Sequence, residues 1–221
     1  MPARTPTPPR LPKSLPETVH DDLTGDDEWN DERVVGVDLA GADAEHVRIG
    51  GCELRDVAFT GAHLHRCALT DVRLVGCDLS GAFVGESQWL RVELRNCRMA
   101  GFVVSQSRLR HVRFTEAKID GGDFRLVSAE NLAFVDCALA DADFYEANLT
   151  RVSFEQCDLR RAHFAGVTAH ELRLHGSDVE GVRGAASLKG TSITAAQVHP
   201  LALSLFAELG ISIDLDPRNH E

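Results

Sequence analysis

From Val37 to about Val182 the chain repeats residue type every five positions without a slip of frame. Counting from Leu39 to Val179 gives 29 repeat centres, of which 26 are Leu, Ile, Val, Met, Phe or Trp; the exceptions are Ala44, Ala129 and Ala169. Two residues before each centre runs a second set, Val37 to Ser177, in which 25 of 29 are Ala, Val, Cys or Ser. The remaining three positions of each five are mostly polar. A period of five fits neither the 3.6 residues of a helical turn nor the two-residue alternation of a strand. It calls for a repeat architecture, in which each unit buries its apolar positions by stacking on its neighbours.

A second, longer period of twenty lies above the first. Gly41, Gly61, Gly81, Gly101 and Gly121 recur at that spacing, lapse at Asp141 and Arg161, and return at Gly181. Glycine at one recurring position predicts a corner that wants a positive φ or a close backbone approach. Other columns share the period: Ala42, Ala62, Ala82, Ala142 and Ala162 in one, Phe114, Phe134 and Phe154 in another, Phe124, Phe144 and Phe164 in a third. Each column predicts a strip on one wall of a four-sided coil, with residues twenty apart stacked over one another.

Segments such as Cys77-Asp78-Leu79-Ser80-Gly81, Ala147-Asn148-Leu149-Thr150-Arg151 and Cys157-Asp158-Leu159-Arg160-Arg161 resemble the pentapeptide repeat family. The resemblance implies an all-β fold, a right-handed quadrilateral parallel β-helix with four pentapeptides per coil. At about 4.8 Å per coil, roughly 7.5 coils would give a rod of roughly 36 Å. The expected organisation is an arm over residues 1–32, the β-helix over 33–186, and a C-terminal cap with a short helix over 187–221.

Both flanks differ from the repeat. Residues 1–16 carry six of the eight prolines and favour extended conformers, which predicts a flexible arm. Residues 17–32 hold eight acidic side chains and no Lys or Arg, a solvated linker or an acidic docking segment, with Trp29 as a lid over the first coil. At the other end, Thr194 and Gln197 have capping-box spacing, and Ile193 with Val198 that of a hydrophobic staple. Pro200 is expected to split or kink the helix. Leu201, Leu205, Phe206 and Leu209 form its apolar face, Gly210 its stop, and Ile211 to Ile213 a short strand. This segment either covers the open end of the rod or builds a homodimer, as relatives within the family do with their C-terminal ends.

Signatures of chemistry are absent. All six cysteines, Cys52, Cys67, Cys77, Cys97, Cys137 and Cys157, fall on the small inward position and read as buried apolar residues with free thiols. There is no paired Cys-x-x-Cys, and His63 with His65 lacks a recurring third ligand, so no metal is expected. No Ser-His-Asp arrangement, phosphate loop or dinucleotide fingerprint occurs. The expectation is a protein that is not an enzyme and has no cofactor. No apolar run approaches the roughly 18 residues of a membrane span, and a cytoplasmic location is expected.

Surface charge is what remains. The whole chain carries −11, but residues 91–119 hold Arg91, Arg95, Arg98, Arg108, Arg110, Arg113 and Lys118 against Glu93 and Glu116. Residues 120–158 hold nine acids, among them Asp141, Asp143 and Glu146, against Arg125 and Arg151. In a solenoid such blocks become bands, which either pair across coils or recognise a partner of opposite pattern. Phe83 and Val103 are expected to point outward in adjacent coils, close to Leu90, while Phe102 faces Gly122. This makes a small apolar patch beside the basic band, which the arm could equally cover. The reading that follows is an interaction module with a protein partner. The alternative, implied by the resemblance, is a DNA mimic that binds a type II topoisomerase such as gyrase and protects it from quinolones. Nucleic-acid contact through the arginines is a third, disfavoured by the global acidity.

Overall fold

A computed structural model describes residues 5–212. The backbone is a parallel-strand β-solenoid of about eight turns, closed at its C-terminal end by one short helix. Its register advances by twenty residues, through Trp29↔Ile49, Leu69↔Trp89, Phe114↔Phe134 and Asp158↔Asp178. In the turn covering residues 77–96, four walls meet at Gly81, Glu86, Arg91 and Asn96. Residues 77–80 make the first wall, 82–85 the second, 87–90 the third and 92–95 the fourth.

All four of those corners have positive φ, between 52° and 65°. The glycine column therefore marks no special corner. Asp, Glu, Asn, Gln, Arg, His and one Leu adopt the same left-handed conformation elsewhere, including Asp141 and Arg161 where the glycines lapse. An L-residue pays roughly 1–2 kcal/mol there. A backbone bond to the next coil compensates, as in Glu86 N–H to Ser105 O at 3.1 Å and Asn96 N–H to Thr115 O at 2.9 Å.

Between corners each wall is too short for anything but an extended segment with two side chains in and two out. The centre and small residues point inward and make one continuous core. In the C-terminal half that core is aromatic. Phe114, Phe134 and Phe154 stack at 4.8 and 4.9 Å, Phe124, Phe144 and Phe164 at 4.9 and 5.1 Å, and the two columns meet edge to face. Phe102 is fully buried at a position otherwise given to small residues. In the N-terminal half the core is mostly aliphatic, with Trp29, Phe59 and Trp89 as its rings, and leaves a void of about 30 Å³ bordered by Leu69 and Trp89. Among the described residues the Trp89 Nε1–H finds no acceptor.

The N-terminal expectation needs correction. Residues 17–32 are not an arm; they are wound into the rod. Glu17–Thr18 pairs with Arg33–Val35, and Glu28–Asn30 pairs with Arg48–Gly50. Trp29 is 2% exposed and occupies a centre position, stacked on His20 at 4.1 Å, so it is core and not a lid. The five-residue frame in fact continues backward through Val34 to Trp29, hidden by the acids that fill the outward positions. Residues 5–16 lie along the fourth wall, with the Thr7 N–H on His111 Nδ1 at 3.2 Å and the Arg10 N–H on an Asp71 oxygen at 2.8 Å.

At the far end a 3₁₀ turn, Ala195–Gln197, leads into helix α1, Val198–Glu208. Gln197 is 3% exposed: its Oε1 accepts from the Thr194 N–H at 2.8 Å, and its Nε2 donates to the carbonyls of Leu174 and Ser177. One side chain thus satisfies carbonyls of the last coil. Pro200 does not kink α1, because it falls in the first turn, where no N–H is required. Ile193 and Val198 are both exposed, so no staple forms, and of the expected apolar face only Leu201 packs on the core. Residues 211–212 are not a strand, and Ile213 lies outside the described residues.

Candidate interaction surface

The arginine belt is distributed around the rod. Arg98 lies on the first wall, Arg108 and Arg110 on the third, Arg95 and Arg113 on the fourth, and Arg91 at the corner between those last two. Several are consumed by neighbouring coils. Arg91 grips Asp71 with two bonds of 2.6 Å, Arg98 meets Asp78 at 3.0 Å, and Arg110 meets Glu130 at 3.2 Å. Among the described residues Arg108, Arg113 and Lys118 have no acidic partner within 4 Å. Asp141 and Asp143, from the acidic block, pair with Arg161 and His163.

The strongest charge cluster is on the fourth wall. Glu53 is sunk in the surface among Arg33, Arg55 and Arg73, and Glu93 between Arg73 and Arg95. Column pairing dictates this, since residues 33, 53, 73 and 93 stack as Arg, Glu, Arg, Glu. The hydrogen bond from Arg55, with that from Arg33, holds the Glu53 carboxyl down at about 2 against the cost of burial. Arg91 likewise lowers Asp71. His111 is pushed below its ordinary value by burial and by Arg110, Arg91 and Arg151. The neutral ring is thereby favoured, and the Thr7 N–H aimed at Nδ1 places its one proton on Nε2.

The opposite wall, the second, is uncovered and carries the apolar groups. Phe83 and Val103 stack there as expected, both half-buried. The Phe83 ring reaches over Gly85, where an added Cβ would come within 2.4 Å of it, and packs against His65 at 4.5 Å with the two rings tilted by 37°. Leu90 does not join them. It sits on the third wall, beyond the corner at Glu86, paired with Thr70 and Arg110.

Two residues extend this wall that the sequence reading passed over. Leu126, 48% exposed, and Tyr145, 40% exposed, are the two exposed large apolar side chains between residues 37 and 182. They adjoin, the Leu126 N–H donating to the Tyr145 carbonyl at 3.0 Å, and Tyr145 stacks on His163 at 5.6 Å. Leu126 is a corner residue with φ 59°, the one apolar side chain among the non-glycine corners. The signal was available: a Leu two positions after a centre breaks the five-residue code. Glu146 is the next residue along the same corner column.

The cysteines are internal and free. Burial pushes the Cys67 thiol up to about 11 and raises Cys52. Among the described residues no group of three or more potential metal ligands converges, and no helix is long and apolar enough to cross a membrane.

Twenty-residue coils with inward small and centre residues define the class: a pentapeptide-type β-solenoid. The family model described as "Pentapeptide repeat region" matches residues 47–124 and 107–183, more than half of the 221, and the chain belongs to that family. Solved structures with this likeness include full-length QnrB1, a plasmid-mediated fluoroquinolone resistance protein. It is 20% identical over 88% of this chain and 100% of that one, with a TM-score of 0.40. HetL, involved in heterocyst differentiation regulation in the cyanobacterium Nostoc, is 16% identical over 76% and 90%, with a TM-score of 0.33. Rfr23 from the cyanobacterium Cyanothece is 19% identical over 59% and 89%, with a TM-score of 0.34. A search of curated proteins finds no match.

Proposed function

We propose that this protein is a non-enzymatic interaction rod that meets a protein partner through its second wall. The observation that carries the reading is Leu126: an apolar residue held exposed and in a left-handed conformation next to exposed Tyr145, on the wall that also bears Phe83 and Val103. Both exposure and strain work against the folded rod, and such features concentrate where a surface is used. The rim supplies Glu86, Asp143 and Glu146, so a partner with an apolar spot and basic neighbours fits. Leu90 and most of the arginine belt are no part of this surface.

Affinity capture with the full chain tests this. Leu126→Asn and Phe83→Asp are each expected to lose a partner that the wild type retains, and an unchanged partner set overturns the reading. A type II topoisomerase is the partner suggested by the resemblance, but no outward column is acidic throughout; on the first wall Asp78 and Asp158 are interrupted by Arg98 and Lys118. Supercoiling by purified gyrase, with and without a quinolone, decides that case. We also infer that the outward side of α1, with Val198, Leu203, Phe206 and Leu209 exposed, suits pairing with a second copy. Light scattering of wild type and Phe206→Asp is the check.

A further inference from the structure

The arm over the fourth wall is seated in an unusual way. It crosses the strands and adds no strand there, so its backbone donors go to side chains of the corner column between the third and fourth walls. Thr7 donates to His111 and Arg10 to Asp71, residues forty apart and therefore two coils apart. Two coil spacings are about 9.6 Å. Three residues of polyproline II rise about 9.3 Å and complete one turn, so in that conformation both N–H groups face the same corner. Pro6, Pro8, Pro9 and Pro12 favour it, and they leave Thr7 and Arg10 among the residues that keep a donor. Pro6 is buried, and it borders a cleft floored by Val92, Glu93, Arg95, Arg113 and Thr115.

Charge favours this docking at one point, where Arg10 attracts Asp71. Elsewhere it does not: the arm also carries Lys13, and the wall beneath places Arg95 and Arg113 beside a carboxylate already paired with arginine. Shape and two N–H bonds do most of the holding, a requirement that other extended segments of the same spacing meet.

We propose that the fourth wall is a recognition groove for an extended, proline-rich segment of a partner protein, and that residues 5–16 occupy it in cis as a mask. His111 and Asp71 are the reading residues; they accept N–H groups three residues apart. The tether sets the affinity a partner must reach, since a short linker holds the arm at an effective concentration on the order of millimolar.

The test uses the full chain with Thr7→Pro and Arg10→Pro combined, which removes both donors while keeping the arm extended. The probe is a labelled synthetic peptide of residues 5–16, followed by fluorescence anisotropy. The peptide should bind the double variant saturably and at least about tenfold more tightly than it binds wild type. Adding His111→Ala or Asp71→Ala should abolish that gain, whereas Leu126→Asn should leave it intact, so this proposal and the second-wall reading fail separately. Absence of saturable binding to a variant that melts like wild type overturns the proposal, as does equal binding of a scrambled peptide. Concentration-dependent dimers of wild type whose arms protect the partner copy also overturn it, because the occupant is then a second copy. Hydrogen exchange on wild type gives an independent reading: the Thr7 and Arg10 amides should be protected, and unprotected amides refute the docked arm.

Discussion

Leu126 and Glu53 are the residues whose cost to the fold is most legible. At the Leu126 corner Asn accepts φ 59° more readily, so Leu126→Asn should raise stability by about 1 kcal/mol. A thermal melt reads this, and a stabilised variant that loses its partner separates function from folding. Glu53 behaves oppositely. Its folded value of about 2 lies below the ordinary 4.5, so its stabilisation is complete above pH 4.5 and is lost as pH falls toward 2. Glu53→Gln leaves Arg33 and Arg55 without their carboxylate, Arg73 keeping Glu93, and should cost about 3 kcal/mol at neutral pH. The difference between wild type and variant should shrink with acid in urea titrations. His111 has a depressed value too, so arm docking, which uses its unprotonated Nδ1, holds through the ordinary histidine range and weakens as pH falls below it. Arg91, Arg110, Arg151 and Glu130 are the charges that face it. Exchange at the Thr7 amide should rise in that window.

At the scale of elements, the two halves of the core differ in tolerance. Phe134 contacts stacked rings above and below and edge-on rings beside it, so Phe134→Ala should cost about 3–5 kcal/mol. Trp89 borders a void and holds an unpaired N–H, and Trp89→Phe removes the orphan donor along with some packing. That variant should fall within about 1 kcal/mol of wild type in denaturant melts. Much of this was readable beforehand. The period of twenty, the Phe columns, the internal cysteines and the capping pair Thr194 and Gln197 all follow from spacing. The strand-forming role of residues 17–32 was obscured because acids fill outward positions just as well as linkers. The pairing of arginines was hidden because a linear charge count does not say which walls the charges occupy; only the column index, residue number modulo twenty, brings Arg33, Glu53, Arg73 and Glu93 together. Leu90 was misplaced for the same reason. It is near Phe83 in sequence but lies around a corner.

Across the whole molecule each coil touches only its neighbours, so stability is a sum of local terms and opening begins at the ends. The N-terminal end is held by short strands and an arm, the C-terminal end by Gln197 and a helix with one core-packed leucine, Leu201. Gln197→Ala leaves the Leu174 and Ser177 carbonyls without that partner and should speed hydrogen exchange in the last coil and α1, with the central coils unchanged.

The five-residue unit is a quarter of a turn, which gives the rod a rotational phase. Adding one pentapeptide between Val103 and Leu126, in frame with the inward positions, preserves the core code while swinging everything downstream by one wall. Phe83 and Val103 would then face a different direction from Leu126 and Tyr145. Adding four pentapeptides restores the facing and only lengthens the rod, by about 4.8 Å. A partner that reads both pairs at once would be lost by the first insertion and regained, with a stretch, by the second.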